Sequence, residues 1–313
     1  MKTELGAIHN RSLKKRIVYD IKQNGSLYLL IIPIIAYFII FYYAPMYGAV
    51  IAFKNFSPAR GILGSEWVGL AHFRDFFTGS YFWRVLKNTL VISLSSLLFS
   101  FPSAIIFALL INELRTKWFK KTVQTITYMP HFVSLVVMCG LVMEFTSADG
   151  LINDVIVFFG GERSTLLNRP ECFVPIYVLS GLWQNLGWDS IIYLAALAGV
   201  DQELYEAAYL DGAGRLRQTI SITIPGIMPT IVIMFILAVG GILNLGYEKI
   251  ILLYSPATYD TADIISSFVY RKGLTEMQFS YSTAVGLFNS VVSFALVMST
   301  NAICRKFGDA GLW

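Results

Sequence analysis

The chain has 313 residues, 56% of them hydrophobic and only 14% charged, with a mean hydropathy of +0.61 and a formal net charge of +4. Soluble domains are nearer a quarter charged, so this composition excludes an ordinary soluble enzyme and points to a protein embedded in a bilayer. The three cysteines, Cys139, Cys172 and Cys304, are odd in number and show neither disulfide nor metal-ligand spacing, so they read as packing residues.

Residues 1–25 form a basic tail that includes Arg11, Lys14, Lys15, Arg16 and Lys22. The apolar run that follows is too long for a secretory leader and lacks a small-residue cleavage pattern, so it is expected to remain as a span. Runs without Asp, Glu, Lys or Arg cover 23–53, 88–112, 122–143, 218–247 and 277–304, each long enough to cross roughly 30 Å of hydrocarbon as a helix. A sixth run, 173–199, is interrupted by Asp189 alone. The expected fold is therefore an all-α integral membrane protein of six transmembrane helices over 26–304, followed by a tail at 305–313. Pro33, Pro45, Pro102 and Pro130 lie inside these runs and predict kinks. The aromatic stretch from Trp67 to Trp83, with Phe73, Phe76, Phe77, Tyr81 and Phe82, fits either a helix in the outer interface or a folded external loop.

Lysine and arginine set the orientation. Segments 1–25, 112–121, 200–225 and 305–313 carry 14 of the 24 in 70 residues, and the alternate segments carry the other 10 in 93. Both termini are thus expected in the cytoplasm. The positive charge follows from topology and contact with anionic lipid, and gives no reason to invoke nucleic acid.

The fourth run places Trp183, Gln184, Asn185, Trp188 and Asp189 near mid-membrane, where a charged group costs roughly 2.5–3.5 kcal/mol. Indoles stack on the apolar faces of sugars, and amides and carboxylates pair with hydroxyls, so the cluster suits a wet path compatible with carbohydrate. The same residues also fit interhelical packing and hydrogen bonding, with Asp189 as partner to a basic group. His131, beside Pro130, reads as a packed or hydrogen-bonded residue rather than a proton relay.

A polar island runs from Val200 to Pro225 between two spans. Asp201 is placed to cap a helix, and Glu203 and Glu206 lie near its positive end. Leu204, Ala207, Ala208 and Asp211 share a face with small residues at its centre. Gly212 and Gly214 supply a stop, and a second short helix is expected from Arg215 towards Pro225. The small face allows close approach by another protein, with Glu206 as a charged anchor. The fifth span then ends at Gly240-Gly241, where glycines permit bending; Asn244, Tyr247 and Glu248 are spaced to share a face at the outer mouth, as path lining or as a plain helix end.

No phosphate-binding loop, metal-spaced histidine pair or nucleophile elbow occurs, so no catalytic or metal-binding residue is assigned and no cofactor is expected on this chain.

Glu206-Ala207-Ala208, Gly212, Ile222 and Pro225 resemble the E-A-A-x3-G-x9-I-x-L-P loop of permease subunits in binding-protein-dependent ABC importers, with Ile224 in place of the leucine. With Trp183-Gln184-Asn185-Leu186-Gly187-Trp188, Gly246-Tyr247-Glu248 and Gly311-Leu312-Trp313, the chain is most similar to the type I branch that imports sugars and oligosaccharides, over nearly all of 20–313. The resemblance implies a multi-pass protein of the bacterial cytoplasmic (inner) membrane and a heterodimer with a second permease. It also implies two separate ATPase subunits that hold ATP and Mg, and an extracellular or periplasmic solute-binding protein that delivers the sugar. It assigns ATPase coupling to Glu206, Ala207, Ala208, Asp211 and Gly212. Alternatives are a permease for an amino acid or phosphate, an ion-coupled secondary transporter, for which Asp189 is the only central carboxylate, and a membrane enzyme, for which no constellation is visible.

Overall fold

The computed structural model describes residues 19–307, so Arg11, Lys14, Lys15 and Arg16 of the basic tail and the Gly311-Leu312-Trp313 end lie outside the described residues. The described residues divide into two compact units, the first ending at Val68 and the second beginning at Gly69.

The first unit is built on α1 (Gly25–Phe53), a helix apolar on every side, as a lipid-facing span is. Pro33 sits within its regular part; a π turn at Ile39–Tyr43 precedes Pro45, and the last turns tighten into a 3₁₀ helix. A two-residue antiparallel pair follows, β1 (Lys54–Asn55) with β2 (Glu66–Trp67), in the register Lys54↔Trp67. Trp67 stacks on Phe53 at 5.7 Å.

The second unit is helical. Its elements are α2 (Ala71–Thr78), α3 (Phe82–Glu113), α4 (Lys117–Tyr128), α5 (Leu135–Thr146), α6 (Leu151–Phe158), α7 (Pro170–Leu197) and α8 (Gln202–Leu210). They are followed by α9 (Arg215–Gly240), α10 (Tyr247–Leu253), α11 (Ile265–Tyr270) and α12 (Phe279–Phe307). Five described stretches are long and apolar enough to cross a membrane: α1, α3, Leu135–Phe158, α9 and α12. The sixth long helix, α7, spans 28 residues and is more polar because it carries Glu171, Gln184, Asn185 and Asp189. This is the helical architecture expected for the chain, with differences where helices break.

The aromatic stretch after the first span resolves into a short helix packed on the core. Phe76 of α2 is buried among Phe82, Phe268, Tyr281 and Phe288, while Trp83 stays exposed. The third span is not one continuous helix. Pro130 lies in a single 3₁₀ turn, Met129–Phe132; Val133 is extended, and Ser134 caps α5 by accepting from the Val137 amide at 3.4 Å. Close packing accompanies the break: a side chain at Gly187 of α7 would meet the Thr127 carbonyl oxygen at 2.3 Å. Only glycine lets α4 cross α7 this tightly.

The short helix expected before Pro225 is not separate from the fifth span. Arg215–Gln218 passes through a π turn at Thr219–Thr223 into Ile224–Gly240 without interruption. The wider turn immediately before Pro225 absorbs the amide that proline lacks, so the chain continues where a break was expected.

At the other end, Asp263 is fully buried and ties the loop after α10 to α3. Arg271 donates to both of its oxygens, at 3.1 and 2.6 Å, and Ser267 donates at 2.9 Å. Arg84 of α3 lies 3.5 Å away, and Asn88 donates to the Asp263 carbonyl at 3.1 Å. Burial works to lower the Arg271 pKa, but hydrogen bonding and attraction from Asp263 outweigh it and raise it above the usual arginine value. Removing one member of a buried ion pair strands the other, typically at about 3–5 kcal/mol. Asp263→Ala is therefore expected to lower stability by about that amount, measured as a drop in thermal midpoint in detergent, whereas Asp260→Ala, at an exposed position, leaves the midpoint nearly unchanged.

Candidate functional site

The site begins with an interruption in the fifth span. After Gly240 the helix stops, and residues 241–246 run in turns and irregular backbone before α10 starts. Carbonyls freed at bilayer depth need partners from the protein. Ser93 of α3 donates its hydroxyl to the Ile242 carbonyl, and Asn289 of α12 donates to the Leu243 carbonyl at 3.1 Å and to Asn244 Oδ1 at 2.9 Å. Asn244 in turn donates to Ser293 Oγ at 3.4 Å. Gly240 lies so close to α12 that an added side chain would meet Val297 at 2.4 Å.

Beside this break two adjoining cavities of about 340 and 330 Å³ share Ser96, Ser100, Asp189 and Leu245. One extends along Phe101, Tyr193 and Met234; the other is lined by Tyr177, Gly181, Gln184, Asn185, Glu248 and Lys249. The polar residues come from α3, α7 and the start of α10. Largely apolar helices thus enclose hydroxyls, amides, two carboxylates and an ammonium, a lining that suits a polar solute rich in hydroxyls.

Gln184, Asn185, Asp189 and Glu248 are brought together around this space. Trp183 is not: it lies on another face of α7, in a separate apolar cavity with Leu141, Phe145, Ile152 and Leu179. Trp188 is half-exposed and stacks on His131, with ring centroids 4.3 Å apart and planes 5° from parallel. His131 Nδ1 lies 3.0 Å from Asn185 Oδ1, and because an amide oxygen only accepts, Nδ1 carries the proton. The Asn185 amide NH₂ donates back to the Gly181 carbonyl at 3.1 Å, which fixes its orientation.

Asn244, Tyr247 and Glu248 do not share a helical face. The glycines end the helix before them, so Asn244 is tied to α12, Tyr247 stacks on Tyr270 at 5.0 Å, and only Glu248 lines the cavity. Ser96, Ser100 and Lys249 also line this space without having been singled out from the sequence; for the serines, four-residue spacing was the available signal.

The polar island forms a second surface. Asp201 caps α8 by accepting from the Glu203 amide at 3.0 Å, and the helix carries no buried residue. Ala207, Glu206, Tyr209 and Leu210 are exposed. Gly212 ends the helix at φ +76°, a conformation that other residues rarely adopt. The Tyr205 and Thr223 hydroxyls, 2.9 Å apart, fasten α8 to the π turn at the start of the fifth span. Glu206 borders an open hollow with Gln202, Tyr209, Leu210 and Gln218.

Residues 100–307 match the family described as binding-protein-dependent transport system inner membrane component. The polygalacturonan/rhamnogalacturonan transport system permease protein YteP of Bacillus subtilis (strain 168) is 48% identical over 307 residues, 98% of this chain and 96% of that protein. Protein LplB of the same organism is 46% identical over 294 residues, 94% and 92% of the two chains. A chain from the crystal structure of a bacterial ABC transporter involved in import of the acidic polysaccharide alginate superposes with a TM-score of 0.86 at 44% identity, covering 93% of this chain and 99% of that one. A chain from the complex of the alginate transporter with its alginate pentasaccharide-bound periplasmic protein gives 0.88 at 43% identity, covering 95% and 100%.

The break in the fifth span depends on Asn289. Asn289→Leu strips the Leu243 carbonyl of its donor, at a cost of about 1–3 kcal/mol. The expected result is a lower thermal midpoint in detergent and faster thiol labelling of a cysteine placed at Leu245.

Proposed function

This chain belongs to the family of binding-protein-dependent transport system inner membrane components, and from that premise we propose the following division of labour for it. It is a membrane-embedded permease subunit of an ABC importer that takes up a saccharide chain, and it forms half of the translocation path. A second permease supplies the other half. Two ATPase subunits bind and hydrolyse ATP with Mg on the cytoplasmic side, and a solute-binding protein delivers the saccharide from outside. Both termini are cytoplasmic.

The observation that carries this reading is the polar cavity at the break of the fifth span. Serines, amides and carboxylates held between apolar helices offer a sugar the hydrogen bonds it gives up with water. His131 stacked on Trp188 adds a flat aromatic edge beside that cavity. Relatives at 48% and 44% identity whose names refer to polygalacturonan/rhamnogalacturonan and alginate support a saccharide as the solute.

Coupling is proposed at α8. Glu206, Ala207, Ala208 and Asp211 present a short capped helix to an ATPase cleft, with Gly212 allowing the sharp exit. Because Tyr205 is fastened to Thr223, a displacement of α8 reaches α9, and α9 leads directly to the cavity wall at Gly241 and Ile242.

The complete transporter in proteoliposomes tests the assignment. Glu206→Lys reverses the anchor charge at a cost of about 2–5 kcal/mol if the contact is desolvated, and Gly212→Asp forces a side chain into a left-handed conformation. Each is expected to leave the permease inserted and paired while saccharide-stimulated ATP hydrolysis is lost. Normal coupled hydrolysis and import in both variants would remove α8 as the coupling element. Trp188→Ala removes a stacking face worth about 1–3 kcal/mol and is expected to reduce uptake markedly with assembly and binding-protein docking intact; loss of the assembled complex instead would make Trp188 a packing residue.

A further inference from the structure

Among the residues lining the two central cavities, Lys249 is the single basic side chain. It is buried, with 8% of its surface exposed, yet no described carboxylate forms an ion pair with it. Nζ donates to the Tyr177 carbonyl oxygen at 3.0 Å and lies 4.5 Å from the centre of the Tyr177 ring. These contacts orient the amine and stabilise its charge in part, but a carbonyl and a ring face do not neutralise an ammonium. Gly181 leaves the neighbouring space open, for a side chain there would come within 3.2 Å of Nζ. The amine therefore has protons to spare beside a cavity whose other polar groups are hydroxyls, amides and the carboxylates of Asp189 and Glu248.

We infer that Lys249 is a specificity-determining residue that binds the carboxylate of a uronic acid unit as it passes through the cavity. A neutral sugar presents hydroxyls, which amides, serines and carboxylates serve equally well, and it gives a buried ammonium no counter-charge. A uronate presents one carboxylate and several hydroxyls on each ring. Lys249 meets the first; Asp189, Glu248, Gln184 and Asn185 accept from or donate to the second. The two acidic groups also repel a carboxylate placed elsewhere in the cavity, so charge alone selects the orientation of the ring. This assignment rests on the reading of the chain as a saccharide permease and adds the residue that distinguishes acidic from neutral chains.

The test uses the complete transporter in proteoliposomes, with trigalacturonate and its fully methyl-esterified form as probes and the binding protein's affinity for each measured separately. After correction for delivery, the unaltered transporter is expected to favour trigalacturonate. Lys249→Met is expected to reduce that preference by on the order of tenfold or more, and Lys249→Arg to keep most of it. Gly181→Ser keeps the charge but crowds the amine, and is expected to shift the ratio in the same direction. This second variant carries the test where Lys249→Met fails to assemble. An unchanged ratio in Lys249→Met, an equal loss of both probes, or an unaltered transporter that prefers the ester would each overturn the assignment while leaving the permease function standing. If neither saccharide is imported or stimulates ATP hydrolysis, the saccharide reading itself falls, and the role of Lys249 falls with it.

Discussion

Hydrocarbon offers no hydrogen bonds, so every backbone amide and carbonyl at bilayer depth must be satisfied by the protein. The second unit is organised around that constraint. An unbroken set of apolar helices would meet it trivially and would leave no polar space. Here the fifth span is interrupted after Gly240, and the exposed carbonyls of Ile242 and Leu243 are met by Ser93 and Asn289 from neighbouring helices. The interruption lies beside Ser96, Ser100 and Asp189 and leaves neither the Ile242 nor the Leu243 carbonyl unpaired. A second interruption, at Met129–Ser134, brings His131 against Asn185 and Trp188 of α7.

The polar helix α7 divides its neighbours accordingly. Gln184, Asn185 and Asp189 face the hydrophilic cavity, whereas Trp183 lies with Leu141, Phe145 and Leu179 in an apolar recess. Gly181 and Gly187 are two points where α7 has little or no room for a side chain, the first beside the Lys249 amine and the second beside the α4 backbone. Bulk at either place would push apart the elements that hold the polar groups in position. The packing of small residues and the chemistry of the cavity are thus one arrangement.

Mechanical continuity links this region to the exposed island. The π turn at Thr219–Thr223 carries α9 past Pro225 without a hinge, so the helix that begins near α8 ends at the cavity wall. The Tyr205–Thr223 contact attaches α8 to it. On the coupling role proposed for α8, this continuous helix is the element that carries its displacement to the cavity wall.

The order of apolar runs by itself determined the helical membrane architecture, because a stretch of about 20 residues without charge has few stable alternatives to a spanning helix. Local chemistry likewise made α8 legible: Asp201 as cap and Gly212 as left-handed stop depend on residues adjacent in the chain, and both occur as the spacing predicts. The polar character of α7 was legible too, but which of its residues meet was not. Adjacent side chains on a helix point about 100° apart, so Trp183 and Gln184 part company on packing that composition does not encode. Only the tertiary structure decided that the fifth span unwinds before Asn244, that Asn289 satisfies the Leu243 carbonyl, and that Lys249 lines the cavity. Those outcomes depend on hydrogen bonds and close contacts between residues 46, 72 and 149 positions apart, and no pattern within a single run specifies them.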